Sequence, residues 1–325
     1  MKIGIVGTGL FSVSVAIRLA EVQGNLIELW SENKDLVKDF KKTKKLNTIF
    51  KGKDIPIGIT VSNSIEDVLK EKDVVFLMSS IPYFSSSIDL IKNLISKEIP
   101  IVIGTKGVDK TGMFPYQMAK KSLQNPLLIM SGPTFAQDMC SHKLLGFTLA
   151  GTHKKSKALI KKAFLGSAIV IEDSSDLLGV SLVGVLKNIY AIGSGLLKEA
   201  MGLESTKAFY ITAVYHEIYD LLYRFYGKED TLFSLSCLGD LILSCNSEAS
   251  RNFSYGALLG KKSSKKEINE FKKKNTIEGL ESLEFMIPLI NKKRAKAPLL
   301  RSIYEIVNQN QQVEDFIAVL KDSIH

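Results

Sequence analysis

The chain has 325 residues, of which 45% are apolar, 24% charged and 8% aromatic, and 43 Lys+Arg against 34 Asp+Glu leave a net charge of +9. That composition excludes disordered, collagen-like and low-complexity chains. At roughly 150 residues per domain the length points to two domains, each able to bury a sizeable core.

The first half alternates strand-like and helix-like segments. Residues 2–6 read as a short buried strand, and 14–22 carry Val15, Leu19 and Val22 at helical spacing. Residues 26–30, 73–78, 99–104 and 127–130 read as further strands, with helices over 64–71 and 88–96. Strands alternating with helices predict parallel pairing in an α/β, doubly wound, Rossmann-like sheet. From about Leu177 the pattern becomes helical: 208–225 is long and aromatic-rich, and 278–291 and 313–324 are amphipathic. These shifts predict a dinucleotide-binding domain over 1–180 and an all-α domain over 181–325.

Three cysteines, Cys140, Cys237 and Cys245, form no C-x-x-C pair, so no zinc or redox site is expected and reduced thiols in a cytoplasmic protein are. No segment reads as the roughly 20 apolar residues that cross a bilayer, and no membrane insertion is expected. Residues 3–17 lack a charge, as a signal peptide does, but no small-residue cleavage site follows. The lysine clusters at 41–45, 154–162, 261–274 and 292–296 are scattered and lack interleaved aromatics. They read as solvated faces that attract anionic substrates, and no nucleic-acid partner is expected.

Gly7-Thr8-Gly9-Leu10-Phe11-Ser12 joins the first strand to the first helix. Gly7 suits a tight turn, Gly9 lets backbone approach a pyrophosphate, and the helix N-terminus faces the phosphate charge. Ser12 stands where the third glycine of a dinucleotide fingerprint falls, and is small enough for close helix–strand packing. Glu32 follows the second strand, where a carboxylate bonds ribose hydroxyls and repels a 2′-phosphate, favouring NAD over NADP.

Three charges stand out in apolar company. Lys187 is the only charge between Asp176 and Lys198, and Asp240 the only one between Asp230 and Glu248. Burial lowers a lysine's pKa and makes it a candidate proton carrier. A carboxylate in such a setting needs a partner, which Lys187 would supply, unless Asp240 is simply a helix N-cap. Lys106 follows the strand 99–104, at an edge where ligands bind in open α/β sheets. The segment 131–136 follows another strand there, and its Gly-Pro turn offers backbone N–H groups and the Thr134 hydroxyl to an anion. Arg251-Asn252 pairs a guanidinium fork with an amide, apt for a phosphate.

Taken in order, Gly7-Thr8-Gly9, Thr105-Lys106-Gly107, Ser131-Gly132-Pro133-Thr134-Phe135-Ala136, Leu186-Lys187-Asn188, Gly239-Asp240-Leu241, Ser250-Arg251-Asn252 and Glu278-Gly279 resemble the NAD(P)-dependent glycerol-3-phosphate dehydrogenase family over nearly the whole chain. The resemblance implies reversible hydride transfer between NAD(H) or NADP(H) and dihydroxyacetone phosphate, giving sn-glycerol 3-phosphate for phospholipid synthesis. It implies catalytic roles for Lys187, Asp240 and Lys106. Substrate contacts would come from these three with Gly132, Thr134, Asn188, Ser250, Arg251 and Asn252. Cofactor contacts would come from Gly7, Gly9, Leu10, Phe11, Glu32, Lys106, Ala136, Arg251 and Glu278. A homodimer is implied by the same analogy. Departures at Ser12, Glu32 and Met78-Ser79-Ser80-Ile81 bear on cofactor preference more than on reaction type. The rival readings are a two-domain hydroxy-acid dehydrogenase and a non-catalytic NAD-binding sensor.

Overall fold

Chain order begins with β1 (Lys2–Val6), α1 (Leu10–Ala20), β2 (Leu26–Trp30), α2 (Lys34–Thr43), β3 (Ile59–Ser62), α3 (Ile65–Leu69), β4 (Val74–Leu77) and α4 (Ile81–Ile91). It continues through β5 (Ile101–Ile103), α5 (Pro115–Ser122), β6 (Leu127–Ser131), α6 (Ala136–Met139), β7 (Leu145–Ala150), α7 (Lys154–Ala163) and β8 (Ile169–Ser174). The computed structural model describes residues 1–46 and 55–324. It divides into two units, Met1–Thr105 with Pro115–Leu177, and Lys106–Phe114 with Leu178–His325.

Among the described residues of the first unit, eight strands form one sheet in the order β3-β2-β1-β4-β5-β6-β7-β8. The strand order reverses between β1 and β4, which is where open α/β sheets bind ligands. The central strands are apolar without alternation, as strands covered on both faces must be: every residue of β4 is buried. Pairing is parallel except between β6 and β7, which run antiparallel. The expectation of uniformly parallel strands is corrected at that one junction.

A second correction concerns α4, expected over 88–96 and found over Ile81–Ile91. Pro82 lies in its first turn, where a missing N–H costs nothing. The hydroxyls of Ser86 and Ser87 donate back to the Tyr83 carbonyl, so the serine run is accommodated in the helix.

The second unit is helical: α8 (Leu177–Met201), α9 (Glu204–Phe225), α10 (Asp240–Asn246), α11 (Arg251–Gly260), α12 (Lys265–Lys274), α13 (Glu278–Lys292), α14 (Pro298–Val307) and α15 (Val313–Lys321). A 3₁₀ turn (Glu229–Phe233) and a π-helical turn (Leu235–Gly239) connect α9 to α10. By length and hydropathy α8 would pass as a membrane span, so the expectation that no segment reaches that length is corrected. Yet 78% of its apolar window is buried inside the protein, which makes it a core helix.

Glu217, on the inner face of α9, ties three helices together. Its carboxylate accepts from the Tyr190 hydroxyl of α8 at 2.8 Å and from the first-turn N–H groups of Leu299 and Leu300 of α14. It thereby caps α14 from a distant helix. Burial pushes its pKa up to about 7, although the two backbone N–H groups and the tyrosine hydroxyl favour the ionised form.

Candidate active site

In the sheet unit the glycine turn has the shape a dinucleotide requires. Gly7 has φ +119°, a conformation that strains any L side chain, and a Cβ there would meet the Met78 carbonyl group at 3.3 Å. Gly9 caps α1 without any side-chain hydrogen bond, and a Cβ on it would approach only Ser12 Oγ, at 3.9 Å. The first turn of α1 holds no acidic residue. The helix N-terminus is therefore open and unopposed, and the residues present fit a pyrophosphate. Leu10 is exposed and Phe11 half-buried, its ring edge-on to Phe147 with centroids 6.3 Å apart. Glu32 is exposed just beyond β2, and Thr8 and Ser31 share a hydroxyl contact of 2.9 Å.

At the end of β6, the Thr134 N–H closes a tight turn on the Gly132 carbonyl at 2.9 Å. Ala136 opens α6, and its carbonyl accepts from Ser14 Oγ of α1 at 2.7 Å. Two hydroxyls of this unit, Ser79 Oγ after β4 and Ser131 Oγ on β6, are buried with no hydrogen-bond partner. Each follows or closes a central strand, and sequence reading singled out neither as a site residue.

In the helical unit, three charges separated in sequence meet. Lys187 Nζ lies 3.1 Å from Asp240 Oδ1 and Lys106 Nζ 2.6 Å from Oδ2, so each ammonium has its own carboxylate oxygen. The side chains are 12%, 18% and 2% exposed for Lys187, Lys106 and Asp240. Asp240 is the first residue of α10, after the cap at Gly239, and the π-helical turn leads into it. Its carboxylate serves the lysines, and the N-cap reading is corrected.

The electrostatics of the trio are coupled. Burial depresses the Lys187 pKa; Asp240 opposes that, Lys106 adds to it, and Glu278 opposes it again. Burial would raise the Asp240 carboxyl, but the ammonium groups of Lys106 and Lys187 outweigh it and hold the group below its ordinary range. Two cations on one buried anion leave a net positive charge, which favours a negatively charged or polarised oxygen.

Ser244, one turn along α10 from Asp240, was missed. Lys187 Nζ donates to its Oγ at 3.0 Å, and that hydroxyl lies 3.4 Å from Asp240 Oδ1. The sequence signal was the i, i+4 spacing from Asp240, which puts both on one helix face.

Asn188, next to Lys187, enters a second network. Gly279 N–H donates to Asn252 Oδ1 at 2.9 Å, Asn252 Nδ2 to Asn188 Oδ1 at 2.9 Å, and Asn188 Nδ2 to Glu278 Oε2 at 3.0 Å. A Cβ on Gly279 would stand 2.5 Å from the Asn188 carbonyl oxygen, so only glycine lets α13 abut α8 here. Ser250 caps α11 by accepting from Phe253 N–H, and Arg251 opens that helix exposed. The predicted residues of this unit thus gather around the start of α10, the start of α11 and the middle of α8.

Comparison with known proteins agrees with this chemistry. The family model for the NAD-dependent glycerol-3-phosphate dehydrogenase N-terminus matches residues 2–157, and the one for its C-terminus matches 176–318. A glycerol-3-phosphate dehydrogenase (NAD(P)+) of Ehrlichia ruminantium is 31% identical, covering 98% of this chain and 99% of that protein. The crystal structure of glycerol-3-phosphate dehydrogenase from Coxiella burnetii has a TM-score of 0.90 at 26% identity, over 98% of both chains. A 2-dehydropantoate 2-reductase from Methylococcus capsulatus reaches only 0.61 at 14% identity, a likeness of fold alone. The matches run through both units, and with them the chain belongs to the NAD-dependent glycerol-3-phosphate dehydrogenase family.

Proposed function

We propose that the chain reversibly reduces dihydroxyacetone phosphate to sn-glycerol 3-phosphate, using NAD(H) or NADP(H), for phospholipid synthesis. The observation that carries this reading is the buried trio of Lys187, Asp240 and Lys106, a proton carrier and a cation sharing one carboxylate. The Gly7–Gly9 turn, with Leu10 and Phe11, would hold the dinucleotide, and Ala136, Arg251 and Glu278 would add contacts to it. When bound, the nicotinamide supplies or takes up hydride at the substrate's C2.

Lys187 as ammonium donates a proton to the carbonyl oxygen as that oxygen gains negative charge. In the oxidative direction, neutral Lys187 takes the proton back. Asp240 orients Lys187 and opposes the loss of its charge on burial. Lys106, the second cation, stabilises the forming alkoxide. Gly132, Thr134, Asn188, Ser250, Arg251 and Asn252 are the proposed substrate contacts, and Arg251 offers a forked donor pair to the phosphate. Holding the phosphate fixes the carbon to be reduced. Glu32 favours NAD over NADP by repelling a 2′-phosphate.

We also propose a cytoplasmic homodimer. Among the described residues, Cys140, Cys237 and Cys245 form no disulfide, as suits a reducing compartment. The test is loss of reduced-nicotinamide absorbance with purified protein, NADH and dihydroxyacetone phosphate, followed by NADPH in its place. Substrate-dependent loss is expected, faster with NADH. Folded protein that oxidises neither cofactor overturns the assignment and promotes the hydroxy-acid or sensor reading.

A further inference from the structure

The segment Lys106–Phe114 precedes α5 in the sequence but packs with the helical unit. It supplies one member of the charged trio, Lys106, whose Nζ lies 2.6 Å from Asp240 Oδ2. A lysine is a loose carrier of a fixed charge. Its ammonium ends a flexible four-carbon stem, and ordering that stem costs rotamer entropy. A cation needed at one place therefore needs the backbone beneath it held still.

This backbone is held in three ways. Val108 and Phe114 are buried on either side of the turn. Asp109 closes the turn itself: its carboxylate accepts from Thr111 N–H at 2.9 Å, from Met113 N–H at 2.8 Å and from the Thr111 hydroxyl at 2.7 Å. Main-chain bonds lock the same span, Asp109 N–H to the Met113 carbonyl at 3.0 Å and Gly112 N–H to the Asp109 carbonyl at 2.9 Å. Gly112 then meets α13. It has φ +79°, and a Cβ there would stand 2.7 Å from Leu289 Cδ2. The first residue of the same helix, Glu278, accepts from Asn188, the neighbour of Lys187. A turn with no task needs one main-chain bond. Here one carboxylate gathers three further donors, three residues from the charge that meets Asp240.

We propose that Asp109 is a positioning residue: by closing residues 109–113 into one turn against Leu289, it keeps Lys106 on Asp240 and so sets the charge that Lys187 feels. This rests on the proposed role of the trio in carbonyl reduction. Lys187 is faced by Asp240 and Cys245 of α10, by Glu278 of α13 and by Lys106. Of these four, Lys106 is the one carried beside the turn. Burial lowers the Lys187 pKa most, Asp240 raises it, Lys106 lowers it further and Glu278 raises it. Displacing Lys106 therefore leaves Lys187 protonated to higher pH.

The experiment is the pH dependence of kcat for dihydroxyacetone phosphate reduction by the full chain with NADH. It compares wild type, Asp109→Ala, Asp109→Asn, Lys106→Met, and Lys106→Met combined with Asp109→Ala. Asp109→Ala is expected to move the alkaline limb to higher pH, the direction of Lys106→Met, with a smaller loss of kcat. Asp109→Asn keeps the wild-type limb, because its amide oxygen accepts the same N–H groups. The double variant stays within about twofold of Lys106→Met, since a residue acting through Lys106 then has nothing to act on. Gly112→Ala, which drives the turn against Leu289, repeats the test where Asp109→Ala does not fold. An unmoved limb, or losses that multiply in the double variant, overturns the positioning role and leaves the dehydrogenase reading standing. Folded wild type without turnover overturns that reading and this proposal with it.

Discussion

In the sheet unit the proposed ligand contacts are mostly main chain: a glycine at φ +119°, an uncapped helix start and a turn closed by one backbone bond. In the helical unit they are ionised or amide side chains, nearly all paired with one another before any ligand arrives. The first arrangement suits a phosphate by shape and by oriented N–H groups, which do not titrate. The second stores charge in groups that exchange protons. A chain that must bind one molecule tightly and move a proton on another needs both kinds of surface.

Breaking the charged side tests this most severely. Lys187→Ala is expected to lower kcat by about 10²–10⁴-fold, the usual contribution of a general acid or base, while NADH binding followed by fluorescence quenching stays as in wild type. Turnover within threefold of wild type would remove Lys187 from the mechanism.

Asp240→Asn and Lys106→Met sharpen the electrostatic half, because they push Lys187 in opposite directions. In the proposed mechanism reduction requires protonated Lys187, so its rate should fall as pH rises through the Lys187 pKa. Asp240 raises that pKa and Lys106 lowers it. The alkaline limb of kcat should therefore move to lower pH in Asp240→Asn and to higher pH in Lys106→Met, with tens-fold losses in both. Limbs that move together, or not at all, contradict the coupling.

Gly7→Ala breaks the backbone side. Its Cβ meets Met78 and its φ is unfavourable for alanine. The NADH dissociation constant should rise about tenfold, equal to about 1.4 kcal/mol, with the pH profile of kcat unmoved. A shifted profile with unchanged NADH affinity would reverse the division of labour drawn here.

The smallest effect concerns stability. Glu217 has a folded pKa of about 7 against an ordinary 4.5. The native state therefore holds a proton that the unfolded chain has lost. That contribution is complete below the ordinary pKa and is lost as pH rises through about 7. Glu217→Gln should flatten the pH dependence of urea unfolding between pH 5 and 8, and an unaltered slope would place the titrating group elsewhere.

What the sequence disclosed depended on contrast. Lys187 and Asp240 were legible because each interrupts a long apolar stretch, and a lone charge is conspicuous there. Ser244 was not, because a serine in a helix is ordinary until the aspartate one turn away is known to be buried. The Lys106 contact with Asp240 joins positions 134 residues apart, and no local pattern carries that. Among strands, β1 and β2 were read at their observed bounds because they are short apolar runs beside glycine. β8 escaped notice because, at the sheet edge, only its first residue is fully buried and it ends in Glu-Asp-Ser. The antiparallel turn-back at β7 is a property of the path between strands, which composition does not record.

The amide chain from Gly279 through Asn252 and Asn188 to Glu278 runs one way. Every carbonyl oxygen in it faces upstream and every NH₂ group downstream, and a carboxylate at one end with a main-chain N–H at the other prevents either amide from turning over. Each amide oxygen is already engaged inward, while each nitrogen keeps a second hydrogen that the chain does not use. The grammar of this corner is thus fixed before a guest arrives: it can offer protons but has little with which to receive them. An aspartate at position 188 or 252 would reverse a link in that sentence, even though it matches asparagine almost atom for atom in shape.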